Sequence, residues 1–173
     1  MALPVVLVLG GTGKQGFGVL QALHAHYANT FRLATVTRRG KDDPTVALLQ
    51  SWGVRIVCGD LEKDTAKTLA QCFQAECDTD TPPVYGVFLN LDYWTLGADK
   101  EFTIAKAVVD HAVSADTRHF IYSTLEGCSR DTGGVLSVPF FDNKVRIEEY
   151  IKVRVGFVPV GAPDAPSSFA PLP

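Results

Sequence analysis

Short unbroken apolar runs alternate along this chain with stretches in which apolar residues recur every three or four positions. VVLVL at Val5–Leu9 has no polar position, the pattern of a parallel strand buried on both faces. A helical period follows from about Lys14 to Tyr27, placing Phe17, Leu20 and Leu23 on one side. FRLATVT at Phe31–Thr37 predicts a second strand. Asp43-Pro44 supplies an N-cap followed by proline at the first helical position, and Gly53 closes that short helix. VRIVC at Val54–Cys58 predicts a third strand, followed by a helix from about Asp64 to Phe73 and a polar loop through Pro82-Pro83. VYGVFLN at Val84–Asn90 is the fourth strand. A long helix spans Ala98 to Ser114, with Phe102, Ala105, Val108, Val109 and Ala112 on its apolar stripe. HFIYS at His119–Ser123 is the fifth strand. A Gly-rich loop, Gly127 to Ser137, then leads to a helix near Asp142–Val153, and Val153–Val160 has the composition of a short sixth strand. Strand–helix alternation with short links predicts an α/β fold, a doubly wound parallel sheet of five to six strands with right-handed crossovers.

Composition narrows what such a fold does here. Apolar residues make up 46% and charged residues 20% of 173 positions, with a formal charge of −3. That is the balance of a soluble globular domain. The scattered Lys and Arg give no footprint for nucleic acid or an anionic membrane, and no apolar run approaches the roughly 20 residues of a membrane span. MALPVVLVLGG lacks a basic n-region and a cleavage site, so its apolar run reads as a buried strand. Cys58, Cys72, Cys77 and Cys128 show no C-x-x-C spacing; free thiols, no metal and a reducing, cytoplasmic location are expected. GAPDAPSSFAPLP at Gly161–Pro173 holds four prolines and no period. Residues 156–173 are accordingly expected to form an irregular tail.

The chemistry-bearing stretch is Gly10-Gly11-Thr12-Gly13-Lys14-Gln15-Gly16, set between the first strand and the first helix. In a G-x-x-G-x-x-G loop, Gly10 permits the tight turn, Gly13 lets the backbone approach a ligand, and Gly16 lets the helix pack on the strand. Thr12, Lys14 and Gln15 complete a loop whose N–H groups and helix dipole favour a pyrophosphate. The Walker pattern fails, because Gln15 follows Lys14 where Ser or Thr is required. About 20 residues on, the second strand ends in Thr37-Arg38-Arg39-Gly40-Lys41 rather than in the carboxylate that holds the free ribose of NAD. Arg38, with Thr37, Arg39 or Lys41, suits the 2′-phosphate of NADP; the alternative is a solvated basic turn. Asp60 and Leu61 end the third strand, either flanking an adenine or closing an Asx turn. Asn90 and Leu91 end the fourth, either lining the cofactor's ribose and nicotinamide or capping the strand. Residues 1–155 therefore predict one Rossmann-like, NAD(P)-binding domain.

These residues together resemble the NmrA-like family of atypical short-chain dehydrogenases/reductases. The similarity runs from Val5 to about Lys152, through LGGTGKQG, the VTR of Val36-Thr37-Arg38, GVRIVCGDLEKD, FLNLDYW, HFIYSTLEG and FDNKVRIEEYIK. The resemblance implies an NAD(P)-binding Rossmann domain, for which Arg38 makes NADP rather than NAD the expected cofactor, and one of two outcomes. One is an oxidoreductase for a small carbonyl or conjugated substrate, as in fungal secondary metabolism. The other is a non-catalytic redox sensor acting through a regulatory protein partner, in cytoplasm or nucleus. In the wider superfamily a Tyr-x-x-x-Lys pair moves the proton. Lys144 matches the lysine, but Phe140 stands in the tyrosine's place and has no proton to give. Lys144 then positions the ribose or serves as the acid itself, unless it is a solvated lysine opening a helix. Ser123 is a candidate for orienting a substrate carbonyl. Tyr93, in the loop after the fourth strand, or Tyr122, packed in the sheet, are the candidate replacement phenols. Family members continue past the EEY helix into a lobe that encloses the substrate. Here that lobe is expected to be largely absent, which leaves the nicotinamide side open unless a homodimer covers it.

Overall fold

The computed structural model describes residues 3–73 and 84–155. Strand β1 (Val5–Leu9) lies at the centre of a five-stranded sheet. Strands β2 (Arg32–Thr37) and β3 (Arg55–Cys58) add to one side, β4 (Val84–Leu89) and β5 (His119–Tyr122) to the other. Every pairing is parallel and the order is β3-β2-β1-β4-β5. Parallel neighbours need crossovers, and helices α1 (Lys14–Tyr27), α2 (Pro44–Ser51), α3 (Thr65–Phe73) and α4 (Tyr93–Ser114) lie between consecutive strands. A one-turn helix α5 (Cys128–Asp131) and then α6 (Pro139–Val155) follow β5.

The two-residue period of the strands feeds two cores. Leu7, Leu9, Val87 and Leu89 turn one way, onto Leu69 of α3, Ile104 and Val108 of α4, and Ile147 and Ile151 of α6. Val8, Leu33 and Phe88 turn the other way, onto Leu20 of α1 and Leu49 of α2, with Phe17 and Trp52 at the margin. Burial on both faces is why β1 carries no polar residue. Because β1 to β3 step outward in one direction and β4 and β5 in the other, the order reverses between β1 and β4. In open α/β sheets a ligand crevice forms at that switch point, beyond the carboxyl ends of the strands.

Three boundaries differ from the periodicity. Helix α4 begins at Tyr93 rather than Ala98, so Tyr93 is helical and not in a loop. Asp92 caps it, accepting from the Trp94 N–H at 3.1 Å and the Thr95 hydroxyl at 2.6 Å. The apolar period begins later because Gly97, at φ 72° and ψ 170°, breaks the helix and re-aims it. The expected loop from Gly127 contains α5. Helix α6 starts at Pro139 rather than Asp142, whose carboxylate accepts from the Val138 N–H at 3.1 Å and so closes the helix start. Residues 153–155, expected to open a sixth strand, end α6; the remainder of that segment, the tail 156–173 and Cys77 lie outside the described residues. Cys58, Cys72 and Cys128 are free thiols, and burial pushes the Cys72 thiol up to about 11 against the opposing pull of Arg55. Among the described residues no helix is long and apolar enough to cross a membrane, and no cluster of side chains is arranged to hold a metal ion.

Candidate functional site

At the switch point the chain leaves β1 through Gly10, at φ +87°, a conformation only glycine adopts cheaply. A Cβ there would also lie 2.6 Å from the Asn90 carbonyl oxygen at the end of β4. Gly13 donates its N–H to the Gly10 carbonyl at 2.9 Å, closing the turn, and the Phe17 N–H returns to the Gly13 carbonyl as the first bond of α1. Gly16 supports the loop from beneath: a Cβ on it would come within 2.3 Å of the Gly10 oxygen. Gly11, to which the sequence assigned no role, packs against Thr35 and Leu20 and is equally intolerant of a side chain.

How the helices open distinguishes α1 from its neighbours. Helices α2, α3 and α4 follow Asp43, Asp64 and Asp92, and each carboxylate accepts a first-turn N–H. Helix α1 opens on Gly13, which offers no side-chain acceptor. The first-turn N–H groups have no intrahelical partner, and the positive end of the helix dipole adds to their pull on an anion. These groups face a cleft of about 720 Å³ that reaches from Arg38 to Phe140. The absent side chains at Gly10 and Gly13 and the uncapped helix make a cradle that fits a pyrophosphate.

The cleft brings together Gly10, Thr12, Gly13, Lys14, Gln15, Thr37, Arg38, Asp60, Leu61, Asn90, Leu91, Tyr93, Ser123 and Lys144; Gly16 lies behind it. At one end, the Thr12 and Thr37 hydroxyls lie 3.3 Å apart, and Thr37 accepts from the Arg39 N–H at 3.1 Å. The Arg38 side chain lines this end of the cleft and is 60% exposed. Arg39 also lines the cleft but pairs with Asp43 at 3.2 Å, and Lys41 does not line it. Asp60 closes the Asx turn, accepting from the Glu62 N–H at 2.9 Å. In the middle, the Ser123 hydroxyl donates to Gln15 Oε1 at 2.9 Å, so its proton is already directed across the cleft.

At the other end Lys144 is buried, not solvated. Its Nζ donates to Glu101 Oε1 at 2.6 Å and to the Leu91 carbonyl at 2.9 Å. Glu101 is fully buried and also accepts from Asn143 Nδ2 at 2.6 Å. Sequence reasoning passed over Glu101, yet it sits three, four and seven residues before Ile104, Ala105 and Val108. An acid in an apolar stripe implies a buried cation somewhere, though spacing alone does not say which. Tyr122 lies beneath, its ring centroid 5.8 Å from Nζ. The Tyr122 hydroxyl is buried without a partner, and burial, then the Glu101 and Glu148 carboxylates, push its phenol upward. It does not line the cleft. Tyr93 does, with its ring 6.0 Å from that of Phe140, and Trp94 packs on Phe140 at 5.1 Å.

Comparison with known proteins bears on this geometry. The NmrA-like family model matches residues 4–156. The NmrA-like family domain-containing oxidoreductase lnaB of Aspergillus flavus is 28% identical over 166 residues, covering 91% of this chain and 46% of the relative. This chain therefore spans less than half that relative's length. Among solved structures, NmrA, a negative transcriptional regulator, in complex with NADP superposes with a TM-score of 0.69 at 18% identity, over 89% of this chain and 43% of that one. A complex of NmrA with NAD gives the same TM-score. The triphenylmethane reductase of Citrobacter sp. complexed with NADP(H) gives 0.63 at 18% identity, over 87% and 46%. At these identities the likeness is one of fold.

Proposed function

Because this chain belongs to the NmrA-like family, we propose that it binds NADP(H) across the β1–β4 switch point as part of an oxidoreductase. The substrate class is a small carbonyl or conjugated compound, of the kind processed in fungal secondary metabolism. The observation that carries the dinucleotide reading is the uncapped start of α1 beside capped neighbours, facing a cleft with Arg38 at its far edge. The names of the NADP-bound regulator and the NADP(H)-bound reductase support the same reading.

In this proposal the N–H groups of Lys14 and Gln15 hold the pyrophosphate, with Gly16 supporting the loop from behind, and the Arg38 guanidinium takes the 2′-phosphate. Leu61 covers the adenine, with Asp60 holding the turn that places it. Asn90 and Leu91 flank the nicotinamide ribose. Lys144 has three donor positions and two are used, which leaves one for a ribose hydroxyl. Bound NADPH supplies the hydride. Phe140 cannot give the accompanying proton, and in this proposal that role falls to Tyr93, the phenol that neighbours it in the cleft.

Phe140 also favours a second reading, a dinucleotide-binding redox sensor that works through a protein partner. Calorimetry with NADP, NADPH and NAD, followed by a carbonyl panel with NADPH, separates the two. Binding with turnover supports the oxidoreductase; binding without turnover leaves the sensor; no binding at millimolar dinucleotide ends both. Arg38→Ala is expected to weaken NADP about tenfold or more, the value of a charge-assisted hydrogen bond, and NAD within about twofold. Equal losses would remove Arg38 from the 2′-phosphate.

A further inference from the structure

The residue beside Arg38 is an acid. Glu62 Oε2 lies 3.9 Å from Arg38 Nη1, while Glu62 Oε1 accepts from Lys100 Nζ of α4 at 2.5 Å. Glu62 lines the cleft, and the Asp60 turn fixes its backbone. A carboxylate shared between two cations thus stands at the edge of the pocket where the adenosine ribose is proposed to sit. Proteins of this fold that select NAD place a carboxylate for the ribose 2′-hydroxyl at the end of the second strand. Here that strand ends in Arg38, and the carboxylate comes from the opposite wall, after β3.

We propose that Glu62 is a specificity-determining residue that lets this pocket accept NAD as well as NADP, and that Lys100 sets how strongly it does so. The inference rests on the dinucleotide reading above. With NAD bound, Glu62 accepts a hydrogen bond from the 2′-hydroxyl. With NADP bound, the 2′-phosphate carries a charge of about −1.5 to −2 and competes with Glu62 for Arg38 while being repelled by it. Lys100 offsets part of the carboxylate's charge and so favours NADP. Arg38 and Lys100 are 60% and 61% exposed, so these couplings are open to screening by salt.

The test is the ratio of Kd for NAD to Kd for NADP, measured by calorimetry on the full chain. Glu62→Gln keeps the size of the side chain, and it is expected to raise this ratio about tenfold, through tighter NADP and weaker NAD, close to the value of one charge pair screened by bulk water. Lys100→Met is expected to lower it about threefold in the native background and to leave it unchanged in the Glu62→Gln background. At about 1 M salt, where the Debye length falls to about 3 Å, the Glu62→Gln effect on NADP should shrink most. Dinucleotide binding with a ratio unmoved by Glu62→Gln overturns the role of Glu62 alone. A Lys100 effect that persists without the acid overturns the coupling. A chain that binds neither dinucleotide overturns this inference together with the reading beneath it.

Discussion

Lys144 carries two demands at once. Its ammonium is the cation that makes a buried Glu101 tolerable, and it lines the cleft. Removing one partner of a buried pair leaves an uncompensated charge, so Lys144→Met is expected to cost about 3–5 kcal/mol of stability in urea denaturation. Lys144→Met/Glu101→Leu, which removes both charges, should recover most of it. Loss of cofactor binding in the single variant alone would then reflect folding, whereas loss in both would place the lysine against the dinucleotide. Tyr93 makes the opposite case: it is half-buried and packed edge-on against Trp94. If the proposed oxidoreductase reading holds, Tyr93→Phe is expected to lower turnover about a hundredfold or more, the scale of general-acid catalysis, with dinucleotide affinity and melting temperature unchanged. An unaltered rate would leave the proton to another group. The sequence showed Gly10, Gly13 and Gly16 because glycine's role is local and tied to the strand–helix junction. It did not show the burial of Lys144, because the partner lies 43 positions away on another helix.

At the scale of elements, α4 and α6 are joined along their length. Glu101 and Lys144 meet at one end, and at the other Asp110 accepts from Lys106, Tyr150 and Arg154. Burial would raise the Asp110 carboxyl, but those donors prevail and hold it at about 2, below the ordinary 3.8. A group depressed in the folded state contributes fully above its unfolded value and loses that contribution as pH falls through the folded one. Stability should therefore decline between about pH 4 and pH 2, and Asp110→Asn should flatten that part of the acid limb while lowering stability at neutral pH. Thermal unfolding against pH for the two chains measures it. Element identity was legible where an apolar period ran uninterrupted, as in β1 and α1. It was obscured where Gly97 splits α4 and where a single turn, α5, is too short to establish any period.

For the whole molecule, the decisive arrangement is the sheet order, which puts the end of β1 beside the end of β4 and so gathers Gly10, Asn90, Arg38 and Lys144 around one cleft. Alternation along the chain predicted the parallel sheet, and the fold follows it through five strands. The order of those strands was not written in any local pattern, since it depends on which helix covers which face. Helix α1 lacks the acceptor its neighbours have, and Gly13 holds φ −87°, which any amino acid can adopt. A Cβ there would lie 3.3 Å from the Gly10 oxygen, tight but adjustable. Gly13→Asp would supply the missing carboxylate, raising stability by about 1 kcal/mol through the dipole and a stiffer unfolded chain, and would repel the pyrophosphate proposed to bind there. The expected variant melts higher and is blind to dinucleotide. Under the proposed function the uncapped start gives up stability for anion binding, and a screen for thermal tolerance alone would select it away.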